Sequence, residues 1–203
     1  MTTRWLLVPV LLGACLVAGV SAQDQAARSA AVSMQRKLVA IAAAGERPPA
    51  ARPATAARRT SFTDQEVNAF FKMFGPTFMP AGVNDPQVAI DDGGRVRARA
   101  IVDLDTALKP KERSWLDPLA WLSGKVEVTA IGTLRANAGK GLFSLEQATL
   151  GGVSVPKSLL QELVSYYSRT PEQPKGFDLD QPFDLPSKIQ SVETRRGLAT
   201  VVQ

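Results

Sequence analysis

The chain has no histidine, and its only cysteine is Cys15. Without histidine there is no Ser-His-Asp or Cys-His catalysis and no His-ligated metal. A single thiol closes no intrachain disulfide, and removal of the N-terminus beyond it would leave no thiol at all. Ser154 and Ser158 have no partner base, so they make poor nucleophiles. What remains for chemistry is carboxylate pairs: Asp91-Asp92, Asp103/Asp105 and Asp178/Asp180. Asp103 and Asp105 would leave the same face of a strand, a spacing that suits a hard cation or an acid–base pair. All three pairs fall at strand ends or loops, where aspartate commonly shapes turns. The residues therefore point away from an enzyme and call for no cofactor and no metal.

Met1 to Arg4 is positively charged, Trp5 to Val20 is nearly unbroken apolar sequence, and Val20-Ser21-Ala22 ends in small residues. This pattern predicts a signal peptide over residues 1–22 and export to the periplasm or cell envelope. The run is too short for a comfortable membrane span. A second reading starts from Leu12-Gly13-Ala14-Cys15, which resembles a lipobox with Cys15 as the lipid anchor. The apolar stretch continuing through Leu16 to Val20 favours cleavage after Ala22 instead.

The net charge of +5 is unevenly placed. Between Gln23 and Thr60 seven basic residues face two acidic ones, whereas from Ser61 onward 16 basic residues meet 17 acidic ones. The basic character belongs to an arm, which argues against nucleic acid as a partner. Gln23 to Gly45 is alanine-rich and favours helix. Glu46 to Arg59 carries Pro48, Pro49 and Pro53 among Ala and Arg and reads as an extended linker. Residues 23–60 are thus expected to be a helix and flexible tether ahead of a single domain over 61–203.

Order begins at Phe62. Thr63-Asp64-Gln65-Glu66 is a capping box, Phe62 and Val67 suit the staple across it, and Val67, Phe70, Phe71 and Phe74 are expected to form the buried stripe of a short helix. Gly75-Pro76 ends that helix. Gln87 to Asp91 and Arg95 to Leu104 flank a turn at Asp92-Gly93-Gly94, predicting a hairpin. On its second strand Val96, Ala98, Ala100, Val102 and Leu104 share one face, and Arg95, Arg97 and Arg99 the other. Gly124 to Ala136 repeats the pattern with Val126, Val128, Ala130, Gly132 and Leu134 inside.

Gly141 to Leu150 reads as a further strand. Strict alternation puts Leu142, Ser144, Glu146, Ala148 and Leu150 on one face and Phe143, Leu145, Gln147 and Thr149 on the other. Gly151-Gly152 breaks it, and Pro156 or a Ser158/Gln161 capping box opens a helix. Leu159, Leu160, Leu163, Val164 and Tyr167 repeat along that helix at helical spacing. Lys188 to Glu193 and Leu198 to Val202 make a closing hairpin. The expected fold is α+β: a curved antiparallel sheet of about six strands packed on an N-terminal helix and one amphipathic helix.

The small residues Ala89, Ala98, Ala100, Ala130, Gly132 and Ala148 leave room over the sheet, for close helix packing or for an apolar ligand. Ala98, Ala100, Ala130, Leu159, Leu163 and Tyr167 are the candidate lipid-binding residues. Between the hairpins, Trp115, Leu116, Leu119, Trp121 and Leu122 stand beside Lys109, Lys111 and Arg113. Indole at headgroup level with cations beside it suits contact with a membrane, while the alternative is that the tryptophans fill the core.

Ser61-Phe-Thr-Asp-Gln-Glu-Val-Asn-Ala-Phe70 looks like the opening helix of small secreted proteins with a tubular lipid-binding (TULIP-like) fold. Ala148-Thr-Leu-Gly-Gly-Val-Ser-Val-Pro156 with its following helix, and Pro182-Phe-Asp-Leu-Pro-Ser-Lys-Ile189 with its closing hairpin, are similar to LmeA-like phospholipid-binding proteins of the bacterial envelope. The resemblance spans roughly Phe62 to Val202 and is one of rhythm, with fewer strands than a longer TULIP barrel. It implies a curved sheet wrapped on a helix around a groove for acyl chains. The expected function is non-enzymatic binding or transfer of a phospholipid or acyl chain at a membrane surface. The alternative is a scaffold or assembly module that binds an envelope protein, through an edge strand or the tryptophan segment.

Overall fold

The computed structural model describes residues 14–47, 57–107, 124–167, 169 and 174–203. Among them, four helices accompany nine antiparallel strands that do not close into a barrel. The chain runs α1 (Ala14–Glu46), β1 (Arg59–Thr63), α2 (Asp64–Phe74), β2 (Val83–Ile90), β3 (Arg95–Asp103), α3 (Leu104–Ala107), β4 (Lys125–Asn137) and β5 (Lys140–Leu150). It continues through β6 (Val153–Ser154), α4 (Lys157–Tyr167), β7 (Phe183–Asp184), β8 (Ser191–Arg195) and β9 (Leu198–Val202). The six anticipated strands are β2, β3, β4, β5, β8 and β9. The short strands β1, β6 and β7 are additional.

β4 organises the sheet. One edge pairs with β5 along its length, while the other pairs with β3 from Lys125 to Thr133 and then meets β8 at Ala136 opposite Val192. The β8–β9 hairpin, with β1 on its far side, is thereby attached beyond the end of β3. A turn over Asp92–Gly94 fastens this junction. Gly94 N–H donates to Thr194 Oγ1 at 2.6 Å, Arg196 N–H to Asp92 Oδ1 at 3.2 Å, and Gly197 N–H to the Ile90 carbonyl at 2.8 Å.

Strict alternation fails in β5. Register shifts between Ile131 and Gly132 of β4, so Ile131 lies opposite Gln147 and Gly132 opposite Leu145, with Glu146 as the extra residue. A bulge of this kind changes the phase of the side chains beyond it. Phe143 and Leu145 therefore share the face of Ala148 and Leu150, where an unbroken strand would have separated them. Leu142 and Ser144 lie on the opposite face. Ala89 also sits opposite its expected side, paired with Arg97 on the charged face.

α2 begins as its capping box predicts. Thr63 Oγ1 accepts from Glu66 N–H at 3.1 Å, and a Glu66 carboxylate oxygen accepts from Thr63 N–H at 3.0 Å. Its side chain at Asn68 closes the edge of β2: Nδ2 donates to the Val88 carbonyl at 2.9 Å, and Oδ1 accepts from Val88 N–H at 2.7 Å. The aromatic stripe is not enclosed, however. No residue of α2 is fully buried: Phe70, Phe71 and Phe74 are half-buried and Met73 is 40% exposed.

The alanine-rich helix α1 is docked, where its composition suggested part of a tether. Ala31 is fully buried, and Ile41 forms a core cluster with Phe62 and Val201. Glu66 accepts from Ser33 Oγ at 2.6 Å and from Lys37 Nζ at 2.6 Å. Gln203 Nε2 donates to the Ile41 carbonyl at 2.9 Å, and Lys188 Nζ to the Arg47 carbonyl at 2.6 Å. A Cβ at Gly45 would stand 2.5 Å from the Ser187 Cα, so that contact requires glycine. Alanine and glycine allow close backbone approach without a large apolar stripe, which is why the sequence pattern does not announce the packing.

Candidate functional site

The registers of β2 to β5 place one apolar row after another on a single face. Val88, Ala98, Ala130 and Ala148 stand opposite one another across four strands. On one side of this row run Ile90, Val96, Gly132 and Leu145, and on the other Ala100, Val128 and Leu150. A last row, Val83, Val102 and Val126, ends the face. With strands about 4.8 Å apart and a rise of about 3.3 Å per residue, the rows span roughly 14 Å by 20 Å.

The central row is low because it is built mostly of alanine, so the face forms a trough. Ala98 remains exposed in its middle, whereas Ala148 at its edge is 3% exposed. Gly132 is covered by the Phe143 ring, and a Cβ there would also come within 2.8 Å of the Ser144 carbonyl oxygen. An aromatic ring laid over a strand glycine fills the space its missing side chain leaves.

The reverse face is charged and internally paired. Arg95 pairs with Glu146 at 3.2 Å, Arg97 with Asp91 at 2.9 Å, and Arg99 with Glu127 at 2.9 Å. Thr129 and Thr149 hydroxyls meet across strands at 2.6 Å. Such exposed pairs add little stability, but they mark this side as the solvated one. The four rows of the trough, by contrast, contain only Val, Ala, Ile, Leu and Gly. That surface is suited to dispersion contact and has no polar group with which to perform chemistry.

The candidate carboxylates have structural partners. Asp103 Oδ1 accepts from the Asp105 and Thr106 N–H groups at 3.1 and 3.2 Å, and Asp105 Oδ2 accepts from Gly124 N–H at 3.0 Å. They secure the start of α3 and the entry to β4. Asp178 accepts from Asp180 N–H at 2.9 Å, and Asp180 pairs with Lys157. Among the described residues, the one carboxyl with a displaced pKa is Glu66. Burial raises it, but the bonds from Lys37, Ser33 and Thr63 N–H and the Lys37 charge outweigh burial and hold it below the ordinary glutamate range.

Of the sequence-derived lipid-binding residues, Ala98 and Ala130 lie directly opposite each other and Ala100 stands in the adjoining row. Leu159 is half-buried on α4, which touches β5. α4 is fixed to the loop after it by Gln161, whose Nε2 donates to the Phe177 carbonyl at 3.0 Å and whose Oε1 accepts from Leu179 N–H at 2.8 Å. The side chains of Leu163 and Tyr167 lie outside the described residues, as do Lys109, Lys111, Arg113, Trp115, Leu116, Leu119, Trp121 and Leu122. Sequence reasoning missed Phe143 and Leu145 because it carried one phase through β5. The signal was present in the apolar pair 143/145 followed by 148/150, two odd positions and then two even ones. Comparison with protein-family models, with characterised proteins and with solved structures finds no match.

Proposed function

We propose that this protein is an exported, non-enzymatic binder of acyl chains, a lipid-binding or lipid-transfer protein of the cell envelope. The observation that carries this reading is the trough row Val88–Ala98–Ala130–Ala148, apolar from edge to edge and open at Ala98. Each methylene buried against such a surface is worth about 0.8 kcal/mol, so a long chain gains affinity without any polar contact. Export is supported by the charged, apolar and small-residue regions of residues 1–22. Cleavage after Ala22 would also spare the buried residues Ala31 and Ile41 through which α1 docks. The resemblance to TULIP-like and LmeA-like proteins points to the same ligand class.

The test is a substitution at the open position. Ala98→Glu places a carboxylate in the middle of the trough while leaving an exposed strand residue exposed. Binding of a fluorescent fatty-acyl probe should fall at least about tenfold, since an acyl chain cannot satisfy a desolvated charge. The urea midpoint should stay near that of the wild type. Unchanged probe binding would remove the trough as the ligand site.

A further inference from the structure

The trough has two walls, and one of them is partly borrowed from a neighbouring strand. Ala100, Val128 and Leu150 bound the central row on one side, and Ile90, Val96 and Leu145 on the other. Each of these side chains rises from its own strand. In the second wall, however, β4 contributes Gly132, which has no side chain to raise. The wall there is the ring of Phe143. That residue is paired with Leu134, one row further along, and reaches back diagonally over the glycine. A Cβ at Gly132 would stand 2.4 Å from Phe143 Cζ and 3.0 Å from Cε1, so the ring occupies the place of the missing side chain.

A larger residue at position 132 could not take over this role. Its Cβ would also stand 2.8 Å from the Ser144 carbonyl oxygen, a backbone atom. The burial pattern follows the wall. Ile90 is 6% exposed and Gly132 is buried, whereas Ala98 in the central row is exposed. Phe143 itself is only half-buried, so part of its surface is left for contact.

Along β4, Ala130 lies between Val128 and Gly132, each two residues or about 6.6 Å away. With Val128 on one side and the Phe143 ring on the other, the floor at Ala130 is one side-chain row wide. That width accepts one extended hydrocarbon chain lying across the strands. Without the ring, the backbone at Gly132 would join the floor, and the trough over β4 would be two rows wide.

We propose that Phe143 sets the width of the trough, so that its ring selects a single unbranched acyl chain over bulkier hydrocarbon. The inference rests on the acyl-chain reading and adds which chains are admitted and by what residue. A straight chain lies on the alanine floor and touches both walls. A chain carrying a cyclohexane ring is too wide for the floor and lifts its neighbouring methylenes away from it. Each methylene left uncovered costs up to about fourfold in affinity.

The experiment is displacement of a fluorescent fatty-acyl probe from the full chain by two competitors. One is stearic acid, and the other is a fatty acid of equal carbon number with a cyclohexane ring in mid-chain. The wild type should favour stearic acid by at least about tenfold. Phe143→Ala should bind stearic acid less tightly, having lost contact area, and the ring-bearing acid more tightly. The preference should fall at least about tenfold. Opposite changes on two ligands are the signature of a wall, because a ring needed only for packing would weaken both alike. Phe143→Leu keeps apolar bulk without the reach of the ring and should show an intermediate preference. It decides the question if Phe143→Ala does not fold. A folded variant that keeps the wild-type preference would overturn the proposal, as would a wild type that binds the two acids equally. If Ala98→Glu leaves probe binding unchanged, the trough is not the ligand site and both readings fall. If Ala98→Glu abolishes binding while the Phe143 variants keep the preference, the trough stands and only its proposed wall fails.

Discussion

Gly94→Ala should destabilise the protein by about 4 kcal/mol, read as a lowered denaturation midpoint. Gly94 has φ +85°, a left-handed conformation that any Cβ makes costly. More important is the space around it. A Cβ there would collide with the Leu134 carbonyl oxygen, an atom of β4 backbone that cannot rotate away. The turn would have to lift, and with it the bond from Gly94 N–H to Thr194 that ties β8 to the β2–β3 hairpin. Gly93, one residue earlier, supplies the control. Its φ is +69°, but nothing lies within 4 Å of its Cβ position. Gly93→Ala should cost only about 1 kcal/mol, the conformational penalty alone. Similar losses at the two positions would mean that the close approach to β4 does not hold the two parts of the sheet together.

Glu66→Gln should cost about 2 kcal/mol at neutral pH, with a pH dependence that identifies its cause. One carboxylate receives Ser33 and Lys37 from α1 and the Thr63 N–H from its own capping box. The amide of the variant would have the same shape without the charge that pairs with Lys37. The sign follows from the carboxyl's lowered pKa in the fold, whose lowering comes from those bonds and prevails over the opposing effect of burial. Stability from a depressed carboxyl is present above its ordinary range and is lost as the pH falls through the lowered folded value. The gap between wild type and Glu66→Gln should therefore be full at neutral pH and close in acid. A gap that persists unchanged in acid would assign the loss to amide geometry, not to the charge.

How far the sequence revealed the fold depended on the range of the interactions involved. The capping box at Thr63–Glu66 and the alternation in β3 and β4 are local, and the structure has them as expected. β1 was not legible because Arg59–Thr63 carries no strand-like apolar pattern and exists by pairing with β9, far along the chain. α1 looked like a tether because its buried contacts are made by Ala31, Ile41 and Gly45, too few and too small to draw a stripe. The candidate site was half legible. Ala98, Ala100 and Ala130 share one face, as their alternation implies, but the phase change at Glu146 hid Phe143 and Leu145. Phe70, Phe71 and Phe74 read as core because an apolar helical stripe normally is core. They are only half-buried, a degree of cover that periodicity does not carry.

The most direct test of the acyl-chain reading is native mass spectrometry of the protein purified without detergent from the cells that make it, followed by organic extraction. The expected spectrum shows an added mass that extracts as phospholipid or fatty acid and is missing from the Ala98→Glu protein. A spectrum of unliganded chain alone, from wild-type protein that also fails to take up an acyl probe, would contradict the account and leave the trough as a packing surface.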